Sequence, residues 1–277
     1  MYRVLVLFLI LINFGAFANN KDVNVKLENN NFFAVTDVFT EQLVESFTRK
    51  VMTYDKDRLI VYIDSPGGSV FAMARIIGIM KSSKIKFTCV ARFAASAAFA
   101  MFQACHDRLL LYDGIIMQHN ASGFFRDEFP RIMSLFNAIN DIVIDVEHMT
   151  SKRLKMEYKD YKVAINNNLW LSRVTAPKYN AIDAVIKTIG CDKDLIEKTV
   201  IKPQRKCGWF DCITEYKKFS GCPLLAEPLP ENKKDDDDLL WKHNGFSREP
   251  IIEKINTDIK NFMWITPRHV LNRAAKK

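Results

Sequence analysis

The chain has 277 residues, 48% of them hydrophobic and 26% charged, which is enough for one substantial core and a small second unit and excludes a disordered chain. Its 40 Lys and Arg against 32 Asp and Glu leave a net charge of +8, suited to an anionic partner or an envelope surface. No Arg-rich or aromatic-interleaved patch accompanies that charge, so a nucleic-acid reader is excluded.

Arg3 precedes an apolar run over 4–11 that extends to Phe17, and Ala16-Phe17-Ala18 has the small-x-small form of a signal-peptidase site. Residues 1–18 therefore read as a signal peptide, leaving a mature chain that begins at Asn19 and is exported to a periplasm or beyond. An uncleaved membrane anchor is the alternative, although the run falls short of the ~20 apolar residues a spanning helix needs. Residues 19–31 are polar and Asn-rich, and read as a loosely ordered lead-in.

From Phe32 the pattern alternates between strand and helix. Strands are predicted over 32–35, 59–63, 85–90, 108–112 and 115–118, and helices over 37–53, 70–81 and 96–105. That alternation argues for an α/β fold with a largely parallel sheet. Residues 124–161 form a long helical stretch with Phe129, Ile132, Met133, Phe136, Ile139, Ile142, Val143 and Val146 at helical spacing. On its own periodicity it reads as an amphipathic helix packed on its own sheet.

Beyond Asp192 the character changes. Residues 192–230 form a small Cys-containing appendage with Pro203, Gly208, Gly221 and Pro223, and 231–277 comprise a charged linker and a basic tail. Within that tail, 251–264 carries Ile252, Ile255, Ile259 and Met263 near helical spacing, either for membrane or partner docking or as a surface helix on its own domain. The six cysteines, Cys89, Cys105, Cys191, Cys207, Cys212 and Cys222, are an even count in an exported chain and point to disulfides. Two bridges are expected among the last four, and Cys89 and Cys105 are buried thiols or one local bridge. No C-x-x-C pair occurs, so neither a metal site nor any other cofactor site is expected.

Three segments carry chemistry. The β-branched run 60–63 ends in Asp64-Ser65-Pro66-Gly67-Gly68, a strand delivering a tight turn whose unhindered amides can hold an oxyanion. Ala94-Ala95-Ser96-Ala97-Ala98 then offers a hydroxyl at the start of a helix, where the dipole favours developing negative charge. Met117-Gln118-His119 supplies an imidazole, the usual base for a serine nucleophile. The last two have a plainer reading: a Ser among alanines packs well, and a lone His after an apolar strand is commonly structural.

In their order and spacing these segments resemble the proteolytic subunit of the Clp protease, a serine peptidase with the crotonase-like fold, over residues 31–191. The resemblance implies an α/β fold, a repeated ββα core over 32–191 with a protruding helical handle over 124–161. It implies a catalytic Ser96, His119 and Asn168, with an oxyanion hole from Gly67 or Gly68 and Ala97. It also implies a homo-oligomeric ring with an inner chamber and a peptide or unfolded-protein substrate.

Two departures from the family stand out. Asn168, before Trp170-Leu171-Ser172, occupies the position of the usual carboxylate, and Ala98 that of a customary glycine. An amide oxygen can still accept from the histidine N–H but brings no full charge. Asp160 or Glu157 could replace it only by a local shift. Asn120-Ala121-Ser122 matches a glycosylation acceptor, but a glycan there would block the cleft. The expected function is an ATP-independent exported serine endopeptidase. The rivals are a catalytically impaired scaffold or peptide-binding protein, and a Ser-Lys peptidase of the signal peptide peptidase A type. An acyl-CoA enzyme on the same fold is disfavoured, because export removes the cofactor.

Overall fold

The structure, a computed structural model, describes residues 24–123, 126–207 and 212–229. The expected signal peptide and the charged tail 231–277 lie outside the described residues. Two units separate by their contacts: Met1–Val200 with Ser220–Ala226, and Ile201–Phe219 with Glu227–Lys277.

The first unit opens with β1 (Asn24–Leu27) and β2 (Phe32–Val35), then α1 (Glu41–Met52), β3 (Arg58–Ser65), α2 (Val70–Ser82), β4 (Lys86–Ala95), α3 (Ala97–Ala104) and β5 (Asp107–Gln118). It continues with α4 (Phe129–Arg153), α5 (Tyr158–Asn166), β6 (Leu169–Ser172), β7 (Ala184–Ile186), β8 (Thr188–Cys191) and α6 (Lys193–Glu197). The second unit is built on a hairpin of β9 (Thr199–Cys207) and β10 (Cys212–Ser220).

The helices begin where local chemistry satisfies their free amides. Thr40 accepts from the Leu43 amide ahead of α1, and Ser69 from the Ala72 amide ahead of α2. The main sheet runs β2-β3-β4-β5-β6, parallel from β2 to β5, with β6 antiparallel and β7 parallel on the first half of β5.

A parallel sheet must bury both faces, and here they differ. On one, Val61, Ile63, Phe87 and Ala91 pack with Val44 and Phe47 of α1, Ile76 of α2, Phe99 of α3 and Tyr161 of α5. Each such large side chain contributes about 1.5–3 kcal/mol by leaving water. On the other, Tyr62, Val90, Leu109 and Leu111 lie beneath Leu27, Ile186, Leu195 and Cys222. Asp183 accepts three hydrogen bonds from buried Arg108 and so ties the loop before β7 to the start of β5.

Several expectations change. The lead-in is not loose throughout, because β1 pairs in parallel with β8 from Asn24↔Thr188 to Leu27↔Cys191. The stretch 124–161 is two helices, broken after α4 where Lys155 takes a positive φ of 55°. The two strands over 108–118 are one, β5, although its ladder with β4 jumps from Ala91↔Leu110 to Phe93↔Ile115, so that residues 111–114 bulge opposite Arg92. The expected disulfides are present: Cys89 bridges Cys105, and Cys191 bridges Cys222, which fastens part of the appendage covalently to the core, while the side chains of Cys207 and Cys212 lie outside the described residues. Among the described residues no helix is long and apolar enough to cross a membrane.

Candidate active site

The nucleophile segment is shaped by backbone. β4 ends at Ala95 and α3 starts at Ala97, so Ser96 must turn the chain within one residue, and it does so at φ 57° and ψ −120°. A non-glycine residue at positive φ costs on the order of 1–3 kcal/mol and persists only where its surroundings over-determine it. Those surroundings are visible: the Ser96 amide donates to Met117 O at 2.9 Å, and the flanking Ala94, Ala95, Ala97 and Ala98 are buried. Its hydroxyl makes no capping bond to α3, so the oxygen is not committed to the helix it opens.

The glycine turn packs directly against this segment. A Cβ on Gly67 would lie 2.5 Å from Ala95 O and 2.8 Å from Ala97 N, and its φ of +98° already disfavours any side chain. Gly67 is therefore required to be bare for the two segments to meet. Its amide donates to Ser65 Oγ at 3.2 Å, an internal bond of the turn. Of the two glycines considered as oxyanion donors, Gly68 is the one whose amide donates to no other described group. The Ala97 amide is in the first turn of α3 and has no intrahelical acceptor.

His119 is the first residue past β5. The pairing Ala95↔Met117 between β4 and β5 sets Ser96 and His119 at adjacent strand ends, at the same C-terminal end of the parallel strands as the Gly67-Gly68 turn that follows β3. Burial pushes the imidazole below its ordinary value of 6.5, which keeps it neutral and able to accept a proton near neutral pH.

Asn168 is reached from the other side of β5. The antiparallel register ends at Gln118↔Leu169, one residue short of both His119 and Asn168, which belong to no strand. Asn168 adopts φ 57°, its amide donates to Ile165 O at 3.1 Å and its side chain is exposed. The substitutes considered for it are remote. Glu157 caps the far end of α5 and Asp160 lies in its first turn, about 12 Å of helix away at 1.5 Å per residue.

A polar cluster that no sequence motif marks gathers on Asn120, the residue after His119. Lys162 Nζ donates to Asn120 Oδ1 at 3.0 Å and to Glu147 Oε1 at 2.7 Å, and Tyr158 donates its hydroxyl to Glu147 Oε2 at 2.7 Å. Nothing local announces it, because its members come from a loop, α4 and α5. Among the described residues no group of three or more His, Cys, Asp or Glu is arranged to hold a metal.

The family model described as Clp protease matches residues 18–189. Among solved structures the chain is similar to an asparagine-to-aspartate mutant of ClpP1 from Listeria monocytogenes, at 19% identity and a TM-score of 0.51, over 60% of this chain and 94% of that one. At that identity the likeness speaks for the fold. No curated protein matches the chain.

Proposed function

The chain belongs to the Clp protease family, and from that premise we propose that it is an exported serine endopeptidase that cleaves short or unfolded peptides without an ATP-driven unfoldase. Ser96 Oγ attacks the scissile carbonyl, and His119 takes its proton and returns it to the leaving amine. The Gly68 and Ala97 amides hold the oxyanion, and Asn168 orients the imidazole through its side-chain oxygen.

The observation that carries this reading is the backbone of Ser96. A strained serine, pinned through its amide to Met117 and opening a helix with its hydroxyl uncommitted, is costly to keep as mere packing. The two disulfides support an oxidising compartment, and with it the absence of ATP. Exposed Phe129, Met133 and Phe136 on the first half of α4 support a ring assembled through that helix.

Labelling of the mature protein with a fluorophosphonate probe tests the reading. Wild type is expected to label and Ser96→Ala to lose labelling entirely; an unlabelled wild type, or equal labelling of the variant, overturns it. Asn168→Asp is expected to raise the labelling rate by roughly tenfold or more, a part of the ~10⁴ that separates carboxylate from amide in a trypsin-like triad. An unchanged rate removes Asn168 from the site.

The exposure of Asn168 favours one second reading, an impaired scaffold that binds peptides without cleaving them. The Ser-Lys alternative is weakened at the lysine nearest in sequence to Asn168, because Lys162 is bound as an ammonium between Glu147 and Asn120.

A further inference from the structure

His119 stands where regular structure stops. The β5–β6 ladder ends at Gln118↔Leu169, and residues 119–123 belong to no helix or strand. One side of the histidine is therefore held by the sheet, and the other needs a different anchor, since a misplacement of about 1 Å in a reacting group can cost ~100-fold in rate.

The next residue supplies that anchor. Asn120 uses both ends of its amide: Oδ1 accepts from Lys162 Nζ at 3.0 Å and Nδ2 donates to Asn166 Oδ1 at 3.2 Å. Lys162 and Asn166 are four residues apart on α5, on one face of the helix. Tyr158, another turn back on the same stripe, donates to Glu147.

Glu147 is only 4% exposed, so its carboxylate cannot rely on water. Its two oxygens are taken by Lys162 and Tyr158, which fixes the ammonium in reach of Asn120. α5 leads through Asn167 directly to Asn168, so the same helix that grips the residue after His119 also ends beside the residue that precedes β6.

We propose that Asn120 is a positioning residue for the His119 imidazole, clamped by Lys162 and Asn166 of α5, with buried Glu147 of α4 holding the lysine in place. This rests on the hydrolase reading above for its catalytic meaning, though the placement of His119 is separable from it. Asn120 acts through the backbone it shares with His119 and touches no substrate. Lys162 from α5 and Glu147 from α4 are the charged groups of this cluster.

Two measurements on the full mature protein test it. In the first, fluorophosphonate labelling of wild type, Asn120→Ala, Lys162→Met and Lys162→Arg is followed from pH 5 to 9. Asn120→Ala breaks the clamp without disturbing the Glu147–Lys162 pair, so it is expected to melt close to wild type. It should label about 10–100-fold more slowly, with its acid limb moved up toward 6.5 as water reaches the ring. Lys162→Met should follow it, and Lys162→Arg should recover at least half of the wild-type rate. Wild-type labelling with an unchanged acid limb in Asn120→Ala overturns the proposal.

The second measurement needs no activity. The His119 ring proton is assigned by its loss in His119→Gln and titrated by NMR in wild type and Asn120→Ala. An upward move of the midpoint supports the clamp, and identical titrations overturn it. If wild type does not label, the hydrolase reading falls while the titration still decides the clamp.

Discussion

The turn that carries Ser96 and the strand end that carries His119 are neighbours on β4 and β5, yet they are held by different forces. Around Ser96 the fixing elements are backbone and small apolar groups: a strained φ, an amide bonded to Met117, four buried alanines and a bare glycine against Ala95 O and Ala97 N. The Cys89–Cys105 bridge then fastens β4 to the residue that ends α3. Around His119 the fixing elements are side chains, an amide, an ammonium and a carboxylate drawn from a loop and two helices. The first kind of support is local and resists change as a block. The second is long-range, adjustable and open to water at its edge.

Substitutions that attack one support and spare the other separate the two. The largest effect is expected from Gly67→Ala, whose Cβ would overlap Ala95 O and Ala97 N and must push the turn away from Ser96. Labelling should fall at least ~100-fold, the scale of losing an oxyanion donor. A rate within tenfold of wild type would mean that the turn is not part of the site.

Next is the double change Cys89→Ala with Cys105→Ala. It opens a covalent loop with a sequence separation of 16 and should lower unfolding stability by about 3 kcal/mol in urea. Its labelling rate at 25 °C should stay near wild type, because the glycine contact and the Met117 bond still shape Ser96. A rate loss larger than the stability loss would show that the bridge, and not the backbone, sets the serine.

The smallest effect concerns pH. Burial lowers the His119 value below 6.5, so the folded state prefers the neutral ring. Stability from this group is complete above 6.5 and is lost as pH falls from there through the folded value, because the unfolded chain takes up the proton first. The acid limb of labelling should accordingly have its midpoint below 6.5. A midpoint at or above that value would place the ring in water.

This division also explains what could be read from the chain. Ser-Pro-Gly-Gly and Ala-Ala-Ser are legible because a backbone-made site leaves its demands in adjacent letters: no side chain at 67, small ones around 96. The helices α1, α2 and α3 were equally legible from their apolar spacing and end within a few residues of expectation. Lys162 and Glu147 were not, since a side-chain network spread over 120–166 has no spacing to recognise. β1 was hidden for the same reason: its partner β8 begins at Thr188, and a four-residue polar strand shows no pattern until that partner is known. The pattern over 108–118 reads as two strands because residues 111–114 bulge out of the ladder with β4, and the pairing that resumes at Phe93↔Ile115 is visible only in the fold.

Cys191 and Cys222 are 31 positions apart, and the whole β9–β10 hairpin lies between them. The bridge makes this stretch a closed covalent ring, one of whose sides is the exposed hairpin with Ile201, Ile213 and Tyr216 on its surface. A protease that cuts once inside the ring releases nothing, and the two pieces travel as one molecule until a reductant is added. Two cuts excise the hairpin and still leave the core joined to whatever follows Cys222. Comparing digests on reducing and non-reducing gels therefore reads out the topology of the chain directly, and a tool enzyme can trim this hairpin without cutting the core loose.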